Sequence, residues 1–411
     1  MRAQGEPYTC GSTSKTAPSP DTSAGRAVDA RRRCTPLAGD RYSPARMVDL
    51  YHRLEGYDEV KGLLGGTDED VLLALRGKPA LLRIPAVDHP DGGRKASAPA
   101  RMVACLLHGN EDSGFRAVLR LLRTGARYPF DLWVFIGNVR AASQAGWFAH
   151  RFLDDQEDFN RVWGLHPPTT RMRRCAEAVL TELAGADLEA CVDLHNNTGN
   201  NPFYAIVPVR TPASLSLAAT CSDTVLLWNL RAHTLMEALS RRCPTVAVEC
   251  GLPGLSDNAA FAERVLDRFL AAPRFTGRPR VPSRMVDMTV RVEVRPEVPF
   301  AVGLALGDEI DFVLRPGLDA HNFGMLFAGT ELGRVHPGTA MPLCATDMRG
   351  TEVTDRFFAV DADGLLTVRE DLTPVMMTTT VVQIRRDCLF YIARNRSGPA
   401  STPLNADRAA R

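Results

Sequence analysis

Three apolar runs in this chain each stop on a side chain that can bind a metal or carry a proton. Residues 102–107 stop on His108, residues 190–194 on His195, and residues 245–248 on Glu249. Short continuous apolar runs are what strands buried on both faces of a parallel sheet require. In an open parallel sheet the carboxyl ends of the strands border a crevice where functional groups gather. The same ending on three runs therefore points to an α/β architecture with a polar cleft along one sheet edge.

The stretches between these runs are consistent with that architecture. After Glu111, the side chains Phe115, Val118, Leu119 and Leu122 recur at helical spacing, with Arg116, Arg120 and Arg123 opposite them, Ser113 as N-cap and Gly125 as the stop. A strand at 132–136 and a loop carrying His150, Arg151 and DFNRVW (158–163) follow, then a helix introduced by Pro167 and Pro168 that runs to 184. Further strands are expected at 203–209 and 224–228, and helices at 234–241 and 256–271. Upstream, residues 42–100 suggest a short helix near Tyr51, strand-like runs at 71–75 and 81–85, and a loop at 88–99.

From 284 onward the character changes to short β-branched runs cut by Gly and Pro, at 288–294, 302–306 and 378–384. The expected organisation is a disordered tail (1–40), an α/β domain (41–283), a β-rich domain (284–394) and a loose tail (395–411). The fold class expected is a mixed, largely parallel sheet flanked by helices, with a smaller all-β C-terminal domain. The N-terminal tail is rich in Ser, Thr, Pro, Gly and Arg, including Arg31, Arg32 and Arg33. It reads as a solvated segment, a targeting segment, or sequence upstream of a true start at Met47.

Composition narrows the class of function. A formal net charge of +1, from 49 basic and 48 acidic residues, supplies no basic field, so neither nucleic acid nor an anionic membrane is an expected partner. No apolar run approaches about 18 residues and no secretory h-region is present, so the expectation is a cytoplasmic protein without a membrane span. The ten cysteines include no C-x-x-C pair, which suits reduced thiols, with Cys105 and Cys191 acting as small buried hydrophobes.

His108 and Glu111, facing each other across a turn, admit two readings: an ordinary hydrogen-bonded pair, or half of a metal site. With His195 they complete the two-His, one-carboxylate pattern of a catalytic zinc site, which leaves a coordination position for water or substrate. Glu249 is then placed to act as a base that later returns its proton to a leaving amine. Asp193, on the same side of its strand as His195, either orients that imidazole or caps the strand end.

Four segments, HGNEDSG from His108, DFNR from Asp158, DLHNNTG from Asp193 and VECG from Val248, occur in the order seen in the succinylglutamate desuccinylase/aspartoacylase family, and the chain resembles that family. The resemblance implies a zinc carboxypeptidase-like fold and one zinc ion per chain held by His108, Glu111 and His195. It also implies Glu249 as general base, and Asn160 with Arg161 holding a substrate carboxylate. The fit is chemical as well, because a guanidinium fork grips a carboxylate through two charge-assisted hydrogen bonds. More weakly, HPGTAMPL from His336 looks like a family segment near the cleft.

The chain also departs from the family. At position 153, where the family carries an arginine that helps stabilise the oxyanion, this chain has Leu. Arg151 is the nearest replacement, as though the loop 154–157 were lengthened, and a surface arginine is the other reading. A tyrosine that reaches the substrate from the β domain of aspartoacylases has no assignable position. Arg241 and Arg242 read as a solvated helix end or as a further carboxylate contact. The other histidines, His52, His89, His150, His166, His233 and His321, show no ligand spacing.

The function expected is zinc-dependent removal of an acyl group from a small N-acyl amino acid or related amine, by hydrolysis of a linear amide C–N bond. The partner is that small substrate, with self-association into a homo-oligomer left open. A carboxypeptidase or peptide amidase, and a metal-binding regulatory protein without turnover, are the alternatives.

Overall fold

The computed structural model describes residues 50–87, 98–275 and 280–396. The N-terminal tail with Arg31 to Arg33 and Met47, most of the loop 88–99 with His89, and the C-terminal tail beyond 396 lie outside the described residues. The described residues belong to one compact unit.

A large mixed sheet organises the chain. Its first eight strands are β1 (His52–Glu55), β2 (Ala80–Ile84), β3 (Pro99–Cys105), β4 (Asp131–Ile136), β5 (Asp187–His195), β6 (Tyr204–Val207), β7 (Thr224–Leu227) and β8 (Thr245–Glu249). β9 (Arg284–Val294) follows, then β10 (Phe300–Val302), β11 (Phe312–Leu314), β12 (Glu331–Val335) and β13 (Leu343–Asp347). The last four are β14 (Phe358–Val360), β15 (Leu365–Val368), β16 (Thr373–Val375) and β17 (Phe390–Asn395). The large sheet runs β1-β2-β4-β3-β5-β8-β6-β7-β9-β17-β16, with β13 also on β9, and a separate five-stranded sheet runs β10-β11-β12-β15-β14. This is the mixed, mostly parallel α/β sheet with an all-β C-terminal region that the sequence predicts.

At the centre, β4, β3, β5 and β8 are mutually parallel. Alternation along β3 sends Val103 and Cys105 to one face and Met102 and Ala104 to the other. The first pair joins a core with Phe115, Val118, Leu119 and Leu122 of the helix Asp112–Arg123 and Phe261, Val265 and Phe269 of the helix Ser256–Ala271. The second pair joins Phe159, Trp163 and the helix Arg171–Leu183 through Cys175, Ala176 and Val179. Each fully buried Val, Leu or Phe contributes about 1.5–3 kcal/mol, so helices on both faces hold the central strands in place.

β9 carries the sheet into the C-terminal region: Val225 pairs with Met285 and Leu226 with Val286, while further along Val292 pairs with Ala345 and Phe390. Its inward residues serve two cores, Val286 and Met288 with Tyr204, Trp228 and Tyr391, and Val290 and Val292 with Phe312, Leu314 and Leu366. Among the described residues no helix is long and apolar enough to cross a membrane.

Several local expectations are corrected. The apolar run 71–75 lies at the end of the helix Asp68–Ala74, because Thr67 and Asp70 form a reciprocal capping box that fixes the first turn. Tyr51 precedes β1, and the helix near it is Gly56–Leu63. Ser113 is not the N-cap of Asp112–Arg123; Glu111 holds that position and the Ser113 N–H donates to Asn196 Oδ1 at 3.1 Å. The strand expected at 302–306 ends at Val302. The β-branched run 378–384 enters a short helix, Val381–Arg386, that buries Ile384 in the C-terminal core, so tertiary packing overrides strand propensity there.

Candidate metal centre

His195 and Glu249 end adjacent parallel strands and are register partners. Cys105 is level with Leu194, so β3 stops just before them and His108 must be delivered by the following turn. Leu106 takes a left-handed φ of 59°, a conformation that disfavours a non-glycine residue. It is held there as Asn138 N–H donates to the Leu106 carbonyl at 2.6 Å. Gly109 completes the turn. A Cβ at that position would lie 2.6 Å from Ala141 Cβ and 2.7 Å from the His150 carbonyl oxygen, and the Gly109 N–H donates to the Arg151 carbonyl at 2.9 Å. The turn therefore places His108 and also draws in the segment that carries Arg151.

The structure brings His108, Glu111 and His195 together, each buried, with one ligand atom of each lying within 4.8 Å of the others. His108 Nδ1 lies 2.6 Å from Glu111 Oε1, and His195 Nδ1 lies 2.7 Å from Glu111 Oε2. On their far sides, His108 Nε2 lies 3.0 Å from Asp158 Oδ1 and His195 Nε2 lies 2.9 Å from Asp193 Oδ2, the latter without an aligned hydrogen bond. Each imidazole thus sits between two carboxylates. Ionised carboxylates only accept hydrogen bonds, so neutral rings protonated at Nε2 would turn two lone pairs on Glu111. The cluster calls for positive charge at its centre, either two further protons or one cation.

The electrostatics follow that geometry. Burial opposes ionisation of Glu111, yet the charges of His108 and His195 hold its carboxyl well below the usual range. Burial likewise opposes charge on His195, but Asp193 and Glu111 raise its pKa well above the ordinary value. Two imidazole Nδ1 atoms and one carboxylate, the rings backed by Asp193 and Asp158, form a donor set that suits zinc.

Glu249 has the opposite character. Its Oε2 is buried with no hydrogen-bond partner. Burial pushes its carboxyl up to about 7, against the pull of His195 and with Glu111 adding to the rise. A carboxyl of that affinity can exchange protons near neutral pH.

Arg151 lies in the cleft, with a side chain only 14% exposed. Its Nε and Nη2 both donate to Asp158 Oδ2 at 3.1 Å, and its Nη1 lies 3.6 Å from Glu111 Oε1. Burial works against its charge, which Asp158, Glu111 and Asp387 nevertheless favour. Asn160 accepts the Leu235 N–H on its Oδ1 at 2.9 Å, and its Nδ2 lies 3.4 Å from His195 Nε2. Arg161 borders the same cleft, its Nη1 donating to the Asn160 carbonyl at 3.0 Å.

Other sequence candidates lie elsewhere. His336 Nε2 is 3.2 Å from the Gly307 carbonyl, in an exposed contact, and it does not border the cleft. Arg242 ties the carbonyls of Leu183, Ala184 and Ala186. Cys105 and Cys191 are buried, as a hydrophobic role requires. Sequence reasoning assigned no role to Asp158, although it opens the DFNR segment. It also missed the wall formed by Met376, Thr378, Gln383, Asp387, Cys388 and Tyr391; Tyr391 on β17 brings a tyrosine from the C-terminal region into the cleft.

Residues 97–239 match the family model described as the succinylglutamate desuccinylase/aspartoacylase catalytic domain, which bears out the resemblance seen in the motifs. No curated protein matches the chain. Similar solved structures include a succinylglutamate desuccinylase from Chromobacterium violaceum, at 17% identity over 74% of this chain and 87% of the other, with a TM-score of 0.46. A second, from Vibrio parahaemolyticus, has 16% identity over 77% and 86% of the two chains, with a TM-score of 0.49. Murine aminoacylase 3 has 16% identity over 74% and 97%, with a TM-score of 0.44.

Proposed function

We propose, from the match of residues 97–239 to the desuccinylase/aspartoacylase catalytic domain, that this chain is a zinc-dependent amidohydrolase that removes an acyl group from a small N-acyl amino acid or related amine. The observation that carries the reading is the buried His108, Glu111 and His195 group with Glu249 in register beside His195. A zinc ion held by those three side chains supplies Lewis-acid polarisation of an acyl carbonyl and acidification of water.

The chain's own groups account for the proton traffic and the charge. Glu249 takes the proton of the attacking water on its carboxylate and returns it to the departing nitrogen, so the amine leaves neutral. Arg151, kept cationic by Asp158 and Glu111, offers compensation for negative charge that develops on the carbonyl oxygen. Asp158 holds the His108 imidazole by its far nitrogen, and the Asp193 carboxylate lies beside the far nitrogen of His195 and favours charge on that ring. Asn160 and Arg161 border the cleft beside His195 and supply polar contacts for a substrate end.

The test is a mass-spectrometric screen of N-acetyl and N-succinyl amino acids with zinc-loaded and chelator-stripped protein, run beside a short-peptide library. Deacylation that requires zinc is the expected result. Hydrolysis confined to peptides would reassign the chain to a carboxypeptidase or peptide amidase, and zinc binding without any hydrolysis would leave a metal-binding protein.

A further inference from the structure

The guanidinium of Arg161 already has a carboxylate partner supplied by the chain. Its Nη2 lies 3.4 Å from Asp387 Oδ2, contributed by a residue 226 positions later, just after the helix Val381–Arg386. Asp387 is anchored from behind, since Arg291 Nη2 donates to its backbone carbonyl at 2.7 Å and lies 3.5 Å from its Oδ1. Arg291 in turn lies 3.2 Å from Glu293 Oε1. The two guanidiniums of this chain of contacts are thus matched by two carboxylates. The other arginine bordering the cleft, Arg151, is engaged by Asp158 and Glu111.

Each arginine bordering the cleft among the described residues is thus already paired with a carboxylate of the chain. A substrate carboxylate reaching Arg161 must displace Asp387 or share the fork with it, and like charges at that separation repel. The side chains of Arg161 and Asp387 are about a third and a quarter exposed, so both are open to a ligand in the cleft. A neutral amide or a cation beside the same pair meets no such repulsion, and Asp387 accepts its N–H groups.

We propose that Asp387 sets the charge selectivity of this cleft, disfavouring amine halves that carry a free carboxylate and favouring uncharged or cationic ones, such as N-acyl amino-acid amides and N-acyl amines. The proposal rests on the amidohydrolase reading and narrows its substrate class. Neutralising Asp387 frees Arg161 to take a carboxylate.

The experiment compares N-acetyl and N-succinyl amino acids with their carboxamides on zinc-loaded wild-type protein and on Asp387→Asn, with Asp387→Ser as a second variant. Turnover is read as separate kcat and KM, and binding by calorimetry on the Glu249→Gln protein with and without the Asp387 substitutions. In wild type the carboxamide should have the lower KM, by roughly tenfold, and each Asp387 variant should lower the KM of the acid by a similar factor, the scale of one partly exposed charged hydrogen bond. Selective binding of the carboxamide without hydrolysis of either compound would defeat the amidohydrolase reading and leave the selectivity standing. Tighter binding of the acid by wild type, an acid-to-amide ratio unmoved in both variants, or no binding of either compound would overturn the role of Asp387.

Discussion

Replacing Glu249 by Gln removes an ionisable group while keeping its shape, and the structure sets what should change. The native carboxyl is raised from 4.5 to about 7 by burial, so between those values the folded chain keeps a proton that the unfolded chain has released. Stability therefore falls as pH rises through that window, and the full cost is present above it. At about 1.4 kcal/mol per decade, ionised Glu249 costs the fold about 3 kcal/mol, most of it developing between pH 5 and 8. Gln has no such cost. With an unfolding entropy of about 2 cal/mol/K per residue, the melting temperature of Glu249→Gln relative to wild type should rise by about 3 °C between pH 5 and pH 8. Calorimetric scans of chelator-treated protein read this without the attraction of a bound dication. With zinc restored, the variant should retain the metal and lose roughly two to four orders of magnitude in kcat. In wild type the acid limb of activity should lie at or below pH 7, because a nearby cation can only lower the carboxyl's pKa. A relative melting temperature identical at both pH values would refute the buried-carboxylate argument, and unchanged turnover would remove Glu249 from the proton path.

Three further substitutions probe the framework. Asp158→Asn removes the carboxylate behind His108 Nε2 and one partner of Arg151, so zinc affinity measured against a chelating dye should drop by about 10–100-fold; an unchanged affinity would deny Asp158 its orienting role. His195→Ala should leave far-UV circular dichroism native while metal content falls well below one ion per chain, and a stoichiometric metal load would contradict the ligand assignment. Gly109→Ala forces a Cβ against Ala141, Ala142 and His150; a destabilisation of about 1–3 kcal/mol is expected, and a melting temperature equal to wild type would show that the turn yields.

The parallel centre of the sheet was legible because strands buried on both faces must be apolar throughout, which makes their polar ends conspicuous. His108, His195 and Glu249 stood out for that reason, and the helix Ser256–Ala271 for its strong periodicity. The run 71–75 misled because hydrophobicity alone does not separate strand from helix, and the deciding signal lay upstream in Thr67. Asp158 was visible but its partner was not, since nothing local says which imidazole a carboxylate will meet 50 residues away. Asp387 and Tyr391 could not be placed at all. Their relation to Arg161 depends on how β17 pairs with β9, a long-range register that no local pattern encodes.

Because β9 is shared, the strands that end on His195 and Glu249 and the strands β16 and β17 that flank the C-terminal wall of the cleft belong to one hydrogen-bonded sheet. Pocket shape cannot then be varied by exchanging the C-terminal segment as a cassette: a graft beginning after Val294 would have to reproduce the register of β13 and β17 on a strand it did not bring. Transplants that carry β9 with its partners keep the wall aligned but must match β7 at the new seam. Diversification of substrate preference is therefore easiest in the segments that border the cleft between strands, such as 376–388, where side chains can change without rethreading the sheet.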